Sequence, residues 1–450
     1  MSVVRNSLNK DYNLNQVLSS LPKPVWTAIF GMVLQHGVGC YRLAFRLRNV
    51  LLHVCKFWRC IVKNAAAFWT RVHLKTTTSV DLATTILESS RDLPLEVRVD
   101  FRGSRVHGIC EDMDALLHLI SAHMCRTRTI TAILDSDPSR RCFQQSLLFA
   151  RLPQLSGFTV TRGSISGHLR PSPCVLTWVP EYSRSLSLRL QNVSFAWIAK
   201  GDFAHLRTLV LRDMSYDRAP TWADFSTLFV VATGLQQLSL RAVGCSGLPL
   251  LRHGTPVMKR LMELDLCFGN DTSFEHAMRL LRLPCLRTFK FTAFTSEEFD
   301  AIGRCSASLA RVTTFIIDGT FDEHYKLSRI FLNMPSLANL ELLSNGSTAT
   351  AALLACDKWL TVTFGTQSLG CPDLSVLAVP DSPESWDIAA SFVKRRYSRG
   401  GMLSQVVFGE TRAYWCIYDV NVITMQPVEN TSRGPVYVRY GEPRWLRDGY

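Results

Sequence analysis

Fourteen cysteines lie along the 450 residues, yet no C-x-x-C pair and no zinc-type cluster occurs among them. Neither a disulfide framework nor a structural zinc site is therefore written in the chain. No run of eighteen uncharged apolar residues is present, which argues against a membrane-spanning helix. The opening MSVVRNSLNKDYNLNQ lacks the apolar stretch of a secretory signal. The cysteines then read as reduced core residues of a cytosolic or nuclear protein. The sequons at Asn192, Asn270, Asn345 and Asn430 carry no weight in that setting. No P-loop, no G-x-G-x-x-G and no H-E-x-x-H occurs. His205 and His324 stand beside acids but read as isolated surface or helix residues, so we expect no catalytic residue, cofactor or metal. Acidic residues are scarce at one end. Residues 1–80 hold eleven of the 50 Lys and Arg but only one of the 37 acids, Asp11, a balance of +10. The other 370 residues hold 39 basic and 36 acidic residues, about +3. A basic N-terminal module suggests an acidic partner there.

That module is also apolar. In LPKPVWTAIFGMVLQHG, Pro24 suits a first helical turn, Val25, Trp26, Ile29 and Phe30 recur at helical spacing, and Gly37 and Gly39 stop the helix. A second helix is predicted over roughly Tyr41 to Lys63. Leu51, Val54, Cys55 and Trp58 would lie on one of its faces, flanked by Lys56, Arg59 and Lys63. A one-turn helix carrying Trp69 and a strand RVHL follow. So small a unit can hardly bury enough surface alone, so it should lean on the rest of the chain or on another protein.

The series LP…V…IF…VCKFWRCIV…FW resembles an F-box, the motif by which substrate receptors dock the Skp adaptor of SCF ubiquitin ligases. With the continuation FWTRVHL and ATTILESSRDLPLEVRVDF it is similar to the F-box proteins abundant in mushroom-forming fungi, over residues 17 to about 100. Lys23 and Pro24 stand where the family usually carries Glu, and the segment from Phe30 to Leu51 is long for a minimal box. The resemblance implies adaptor contacts at or near Leu21, Pro22, Val25, Ile29, Phe30, Leu51, Val54, Cys55 and Trp58.

Beyond residue 150 a pattern L-x-x-L-x-L recurs, beginning at Leu155, Leu206, Leu235, Leu261, Leu286, Leu337 and Leu374, with weaker copies near Leu188 and Leu309. From Leu206 the steps to Leu337 are 29, 26, 25, 23 and 28 residues, the leucine-rich-repeat period. Each L-x-L is a short strand with both leucines inward, and no unit can bury its apolar edge alone, so neighbours stack. Helical returns are read in SFEHAMRLLRLP and DEHYKLSRIFLNMP. LEVRVDF and RTITAIL read as degenerate first repeats. Met214 and Val243 stand near the place of the usual Asn or Cys, so no asparagine ladder is expected. WDIAASFVKRRYSRGG reads as an amphipathic helix, LSQVVFG as a last strand, and TRAYWCIYDVNVITM as an aromatic cap. The basic run Lys394 to Arg399 reads as the solvated face of its helix, with a nucleic-acid or nuclear-import patch as the alternative.

The fold class predicted is α/β: a short N-terminal helical F-box followed by a leucine-rich-repeat solenoid, a curved parallel sheet with helical returns. The domains would be a flexible tail at 1–16, the F-box-like module at 17–75, an irregular solenoid with its cap at 76–426, and a loose tail at 427–450. The chain would be a non-catalytic, substrate-recognising subunit of an SCF-type ligase. Its partners would be a Skp-type adaptor, through it a cullin, and a protein target. Thr208, Val210, Gln237, Ser239, Glu263 and Asp265, between the strand leucines, would offer the target-binding face. The alternatives are a leucine-rich-repeat scaffold outside any ligase, or, less favoured, a nucleic-acid binder using the basic module. No membrane partner is expected.

Overall fold

The structure is a computed structural model. It describes residues 21–35, 41–102, 110–135, 137–148, 152–162, 185–193, 203–214, 220–245, 247, 257–268, 271–293, 302, 309–319, 330–331, 333–343, 371, 373–379, 389, 391–396, 403, 405–408, 411–419 and 422–427. The chain forms two compact units, Met1–Pro220 and Thr221–Tyr450.

The first unit opens with three helices, α1 (Lys23–Gln35), α2 (Tyr41–Val54) and α3 (Lys56–Asn64), then a 3-10 turn (Ala66–Trp69). The continuous helix expected from Tyr41 to Lys63 is broken at Cys55. This residue is extended (φ −157°, ψ 169°), and its Sγ accepts from the backbone N–H of Trp58 at 3.4 Å, capping α3. A thiol replaces the usual Ser, Thr, Asp or Asn at this position. The Arg59 side chain closes the break from the other side, donating from Nε to the Leu52 carbonyl at 2.8 Å, one of the unpaired carbonyls at the end of α2. Trp69 is buried and donates its indole N–H to the Val62 carbonyl at 2.9 Å, which ties the turn to α3. Gly37 and Gly39, expected to stop α1, lie outside the described residues.

Six parallel strands follow in sequence order: β1 (Arg71–Lys75), β2 (Leu95–Phe101), β3 (Thr127–Leu134), β4 (Gly157–Arg162), β5 (Leu186–Gln191) and β6 (Leu206–Met214). Helices α4 (Val80–Ser89), α5 (Cys110–Ser121) and α6 (Asp137–Leu148) return the chain between the first four. LEVRVDF and RTITAIL are thus the strands of early repeats. Alternation makes the register self-consistent. Val72, Val97, Ile130, Phe158, Leu188 and Leu209 pair in turn across all six strands, and each is buried.

The second unit begins with α7 (Trp222–Val231). Thr221 and Asp224 form a reciprocal capping box at its start. Strands β7 (Gln237–Val243), β8 (Glu263–Cys267), β9 (Thr288–Ala293), β10 (Thr314–Gly319), β11 (Asn339–Leu342), β12 (Val376–Val379) and β13 (Gln405–Phe408) are parallel, with α8 (Asp271–Leu280) between β8 and β9. Leu238, Leu264, Phe289, Phe315, Leu340, Leu377 and Val406 form one buried row across them. Most of the second predicted return, from Asp322, lies outside the described residues. LSQVVFG is not the last strand. The segment expected as an aromatic cap folds its backbone into an antiparallel hairpin on β13, β14 (Thr411–Asp419) with β15 (Val422–Pro427). Apart from Pro427, both expected tails, 1–16 and 427–450, lie outside the described residues.

The repeat is longer than L-x-x-L-x-L. The first leucine of each full copy donates its backbone N–H to the carbonyl three residues earlier: Leu155 to Leu152, Leu206 to Phe203, Leu235 to Ala232, Leu261 to Met258, Leu286 to Leu283, Leu337 to Met334 and Leu374 to Cys371, at 3.0–3.3 Å. All of these acceptors except Cys371 are buried. The strand of each full copy is therefore preceded by a tight turn, anchored in all but the last by a second buried apolar side chain. This frame corrects one repeat. Val312 donates to Leu309, so Val312 leads the copy and Leu309 anchors its turn. The steps either side become 26 residues (286 to 312) and 25 (312 to 337) instead of 23 and 28. Met214 and Val243, at the place of the usual asparagine, are buried.

Candidate protein-docking surfaces

Helix α1 is apolar on two faces. Trp26, Phe30 and Leu34, four residues apart, are buried, and Trp58 of α3 packs on the first two with ring centroids 5.4 and 4.8 Å away. On the opposite face Val25 and Met32 are 42% and 58% exposed, and Leu21, just ahead of the helix, is 40% exposed. The helix starts where the sequence reading put it, because the Pro22 carbonyl accepts from the backbone of Val25 and Trp26. Helix α2 repeats the arrangement: Leu51 is buried, while Leu43, Val50 and Val54, on one helical stripe, are exposed. A surface helix of a self-sufficient unit carries one apolar stripe, and a helix apolar all round belongs under cover. The charged residues Lys23, Arg46, Lys56, Arg59 and Lys63 on the same three helices are also exposed.

The nine residues that the resemblance implied at the adaptor divide by burial. Leu21, Pro22, Val25 and Val54 are exposed, and Ile29, Cys55 and Trp58 are partly covered. Phe30 and Leu51 are buried in the module's own core, at 2% and 7% exposure, so their side chains hold the module together. The break at Cys55 also removes the single helical face proposed for Leu51, Val54, Cys55 and Trp58. Met32, Val33, Leu43 and Val50, which the sequence reading did not select, are among the exposed apolar residues.

On the strands, Glu263 is exposed, and Thr208, Gln237 and Asp265 are partly so. Val210 and Ser239 are buried, at 5% and 3% exposure. Ser239 is covered because its hydroxyl donates to Asp265 at 2.9 Å, and Arg241 Nε donates to the same carboxylate oxygen at 2.7 Å. That hydrogen bond also raises the Arg241 pKa. The sheet of the first unit carries a related cluster: Asp100 receives two bonds from Arg102, both at 2.7 Å, with Arg98 and His73 each 3.9 Å away. The Arg102 guanidinium holds the Asp100 carboxyl below the usual range, against the opposing effect of burial. Both constellations are ion pairs of polar residues on or beside the strands.

No group of three His, Cys, Asp or Glu that could hold a metal occurs among the described residues. His205 is exposed, and His324 lies outside the described residues. No helix of the described residues is long and apolar enough to cross a membrane. The run from Lys394 is not wholly a solvated face. Lys394 is exposed, but Arg396 is buried and donates to the Cys371 carbonyl, and residues 397–399 lie outside the described residues.

Strands and turns together define an α/β protein of leucine-rich-repeat-like units preceded by a helical module. No protein-family model matches the chain, and no curated protein matches it. Among solved structures, the crystal structure of the Rad7 and Elc1 complex in yeast matches at 12% identity with a TM-score of 0.37, over 84% of this chain and 92% of that one.

Proposed function

We propose that the helices of residues 17–75 are an F-box that docks a Skp-type adaptor, and that the repeats of residues 76–426 hold a protein target. The chain then serves as a substrate-recognition subunit of an SCF-type ubiquitin ligase. The exposed apolar stripe of α1 carries this reading: a helix that already buries Trp26 and Phe30 still presents Val25 and Met32 to solvent, with Leu21 exposed just ahead of it. Three features support it: the order of motifs from Leu21 to Trp69, the basic charge beside the stripe, and the parallel repeats that follow. The ubiquitin transfer would belong to other subunits; this chain would contribute proximity, raising the effective concentration of target lysines at the charged enzyme. Its residence would be the cytoplasm or nucleus, where such complexes work.

The direct test is co-purification of the full chain with a Skp adaptor, followed by titration calorimetry. The wild type should bind in the micromolar range or tighter. A Val25→Lys, Met32→Lys double variant should lose binding with unchanged far-UV circular dichroism, because buried apolar anchors at an interface are each worth about 2 kcal/mol or more. A wild-type chain that binds no Skp adaptor would sink the ligase reading and leave a repeat scaffold.

A further inference from the structure

Arg48 points inward from α2 and is 4% exposed. Its guanidinium lies over the ring of Trp69, 4.5 Å from the centroid, with Phe45 5.2 Å away. One terminal nitrogen donates to the Phe68 carbonyl at a long 3.4 Å, and the buried Nε has no hydrogen-bond partner. Among the described residues no carboxylate pairs with it. A buried, unpaired charge is among the most unfavourable features a fold can carry. The Arg48 side chain also lines a cavity of about 210 Å3. Its lining includes the apolar side chains of Leu34, Phe45 and Phe68 together with Thr70, Arg71 and His73. Glu96 also lines the cavity, and its carboxylate is held by Arg71 at 3.1 Å, so its charge is already matched.

We infer that this cavity is a binding site for a carboxylate on a short apolar stem, with Arg48 as its counter-ion. A guanidinium offers paired N–H donors in the geometry a carboxylate accepts. The cavity is smaller than those that hold drug-sized ligands, roughly 300–1,000 Å3, so it suits a group the size of one acidic side chain or a small organic acid. The aromatic walls exclude water from the pair and would pack against the stem. Burial pulls the Arg48 pKa down to about 10, a shift that a bound anion would reverse. The site is separate from the exposed stripe of α1 and stands whether or not the adaptor reading holds.

Two probes distinguish the sources of such a group. Pentanoate represents a free acid, and acetyl-glutamyl-amide represents an acidic side chain of a protein. Each is titrated into the full chain by calorimetry and thermal melting, with pentanol and acetyl-glutaminyl-amide as uncharged controls. At least one carboxylate should bind saturably and raise the melting temperature, and neither control should. The probe that binds names the source. Arg48→Gln should weaken that binding by ~10-fold or more, the scale expected when a charge-assisted pair is lost. Arg48→Met should melt at or above the wild-type temperature without ligand and lose the response, since an aliphatic chain removes an uncompensated charge. Absence of binding by both carboxylates, an equal response to a control, or undiminished binding in Arg48→Gln would each overturn the inference.

Discussion

Asp100 illustrates how one side chain links register to charge. It stands outward on β2 because Val97, Val99 and Phe101 take the inward positions, and there it meets Arg102 through two bonds at 2.7 Å. Its folded pKa lies below the model-peptide value of 3.8, first because of the Arg102 hydrogen bond. The sign follows from linkage. The stabilising contribution is complete above the unfolded pKa and is lost as pH falls through the lower, folded value. Arg102 is more than half exposed, so the pair is screened and contributes no more than about 1 kcal/mol. Asp100→Asn should therefore lower stability at pH 7 by up to that amount. In urea melts repeated at pH 3 the gap should be smaller than at pH 7, and added salt should narrow it at pH 7. A gap that widens on acidification would mean the carboxyl is not held in its charged form.

Among elements, the strands carry the larger energies. Leu240 on β7 is fully buried and pairs with Leu266, also fully buried, across the ladder. Truncation leaves a void between neighbours fixed by their own hydrogen bonds, so Leu240→Ala should cost ~2–5 kcal/mol. The exposed Glu263→Ala on β8 should stay within about 0.5 kcal/mol. Equal losses from the two, in denaturant melts, would show that the inward and outward rows are misassigned. These strands were legible in the sequence because an L-x-L spacing has the strand period and recurs at a fixed step. The turn anchors, such as Met258 and Met334, were not, because one apolar residue three before a leucine is no pattern without the hydrogen bond that uses it. The same blindness misplaced the repeat at Leu309, whose leader is Val312. In the helices, Leu51, Val54, Cys55 and Trp58 have the spacing of one continuous face, and only the extended backbone at Cys55 shows two helices. Apolar periodicity marked α1 as a helix but could not say which of its two apolar faces was the core. The same spacing fits the buried Phe30 and Leu51 as well as the exposed Met32 and Val50.

At the scale of the whole molecule the charge is divided: +10 in residues 1–80 against about +3 in the other 370. Such an asymmetry acts on encounter more than on the bound complex. Opposite potentials steer diffusing partners together, and the effect fades once the Debye length shortens to roughly 3 Å near 1 M salt. Lys56 and Lys63 are exposed at the two ends of α3, while the apolar side chains of α1 and α2 offer the area that a partner would bury. Charges at a rim change the rate of association, and buried apolar anchors set the rate of dissociation. Reversing both lysines to glutamate should therefore slow association with an acidic adaptor by about 10-fold at low salt, flatten the dependence of that rate on ionic strength, and leave dissociation within about 2-fold. Stopped-flow mixing at roughly 50, 150 and 500 mM salt would read all three. If dissociation quickens while association holds, the two lysines lie inside the interface and not around it, and α3 itself is the docked element.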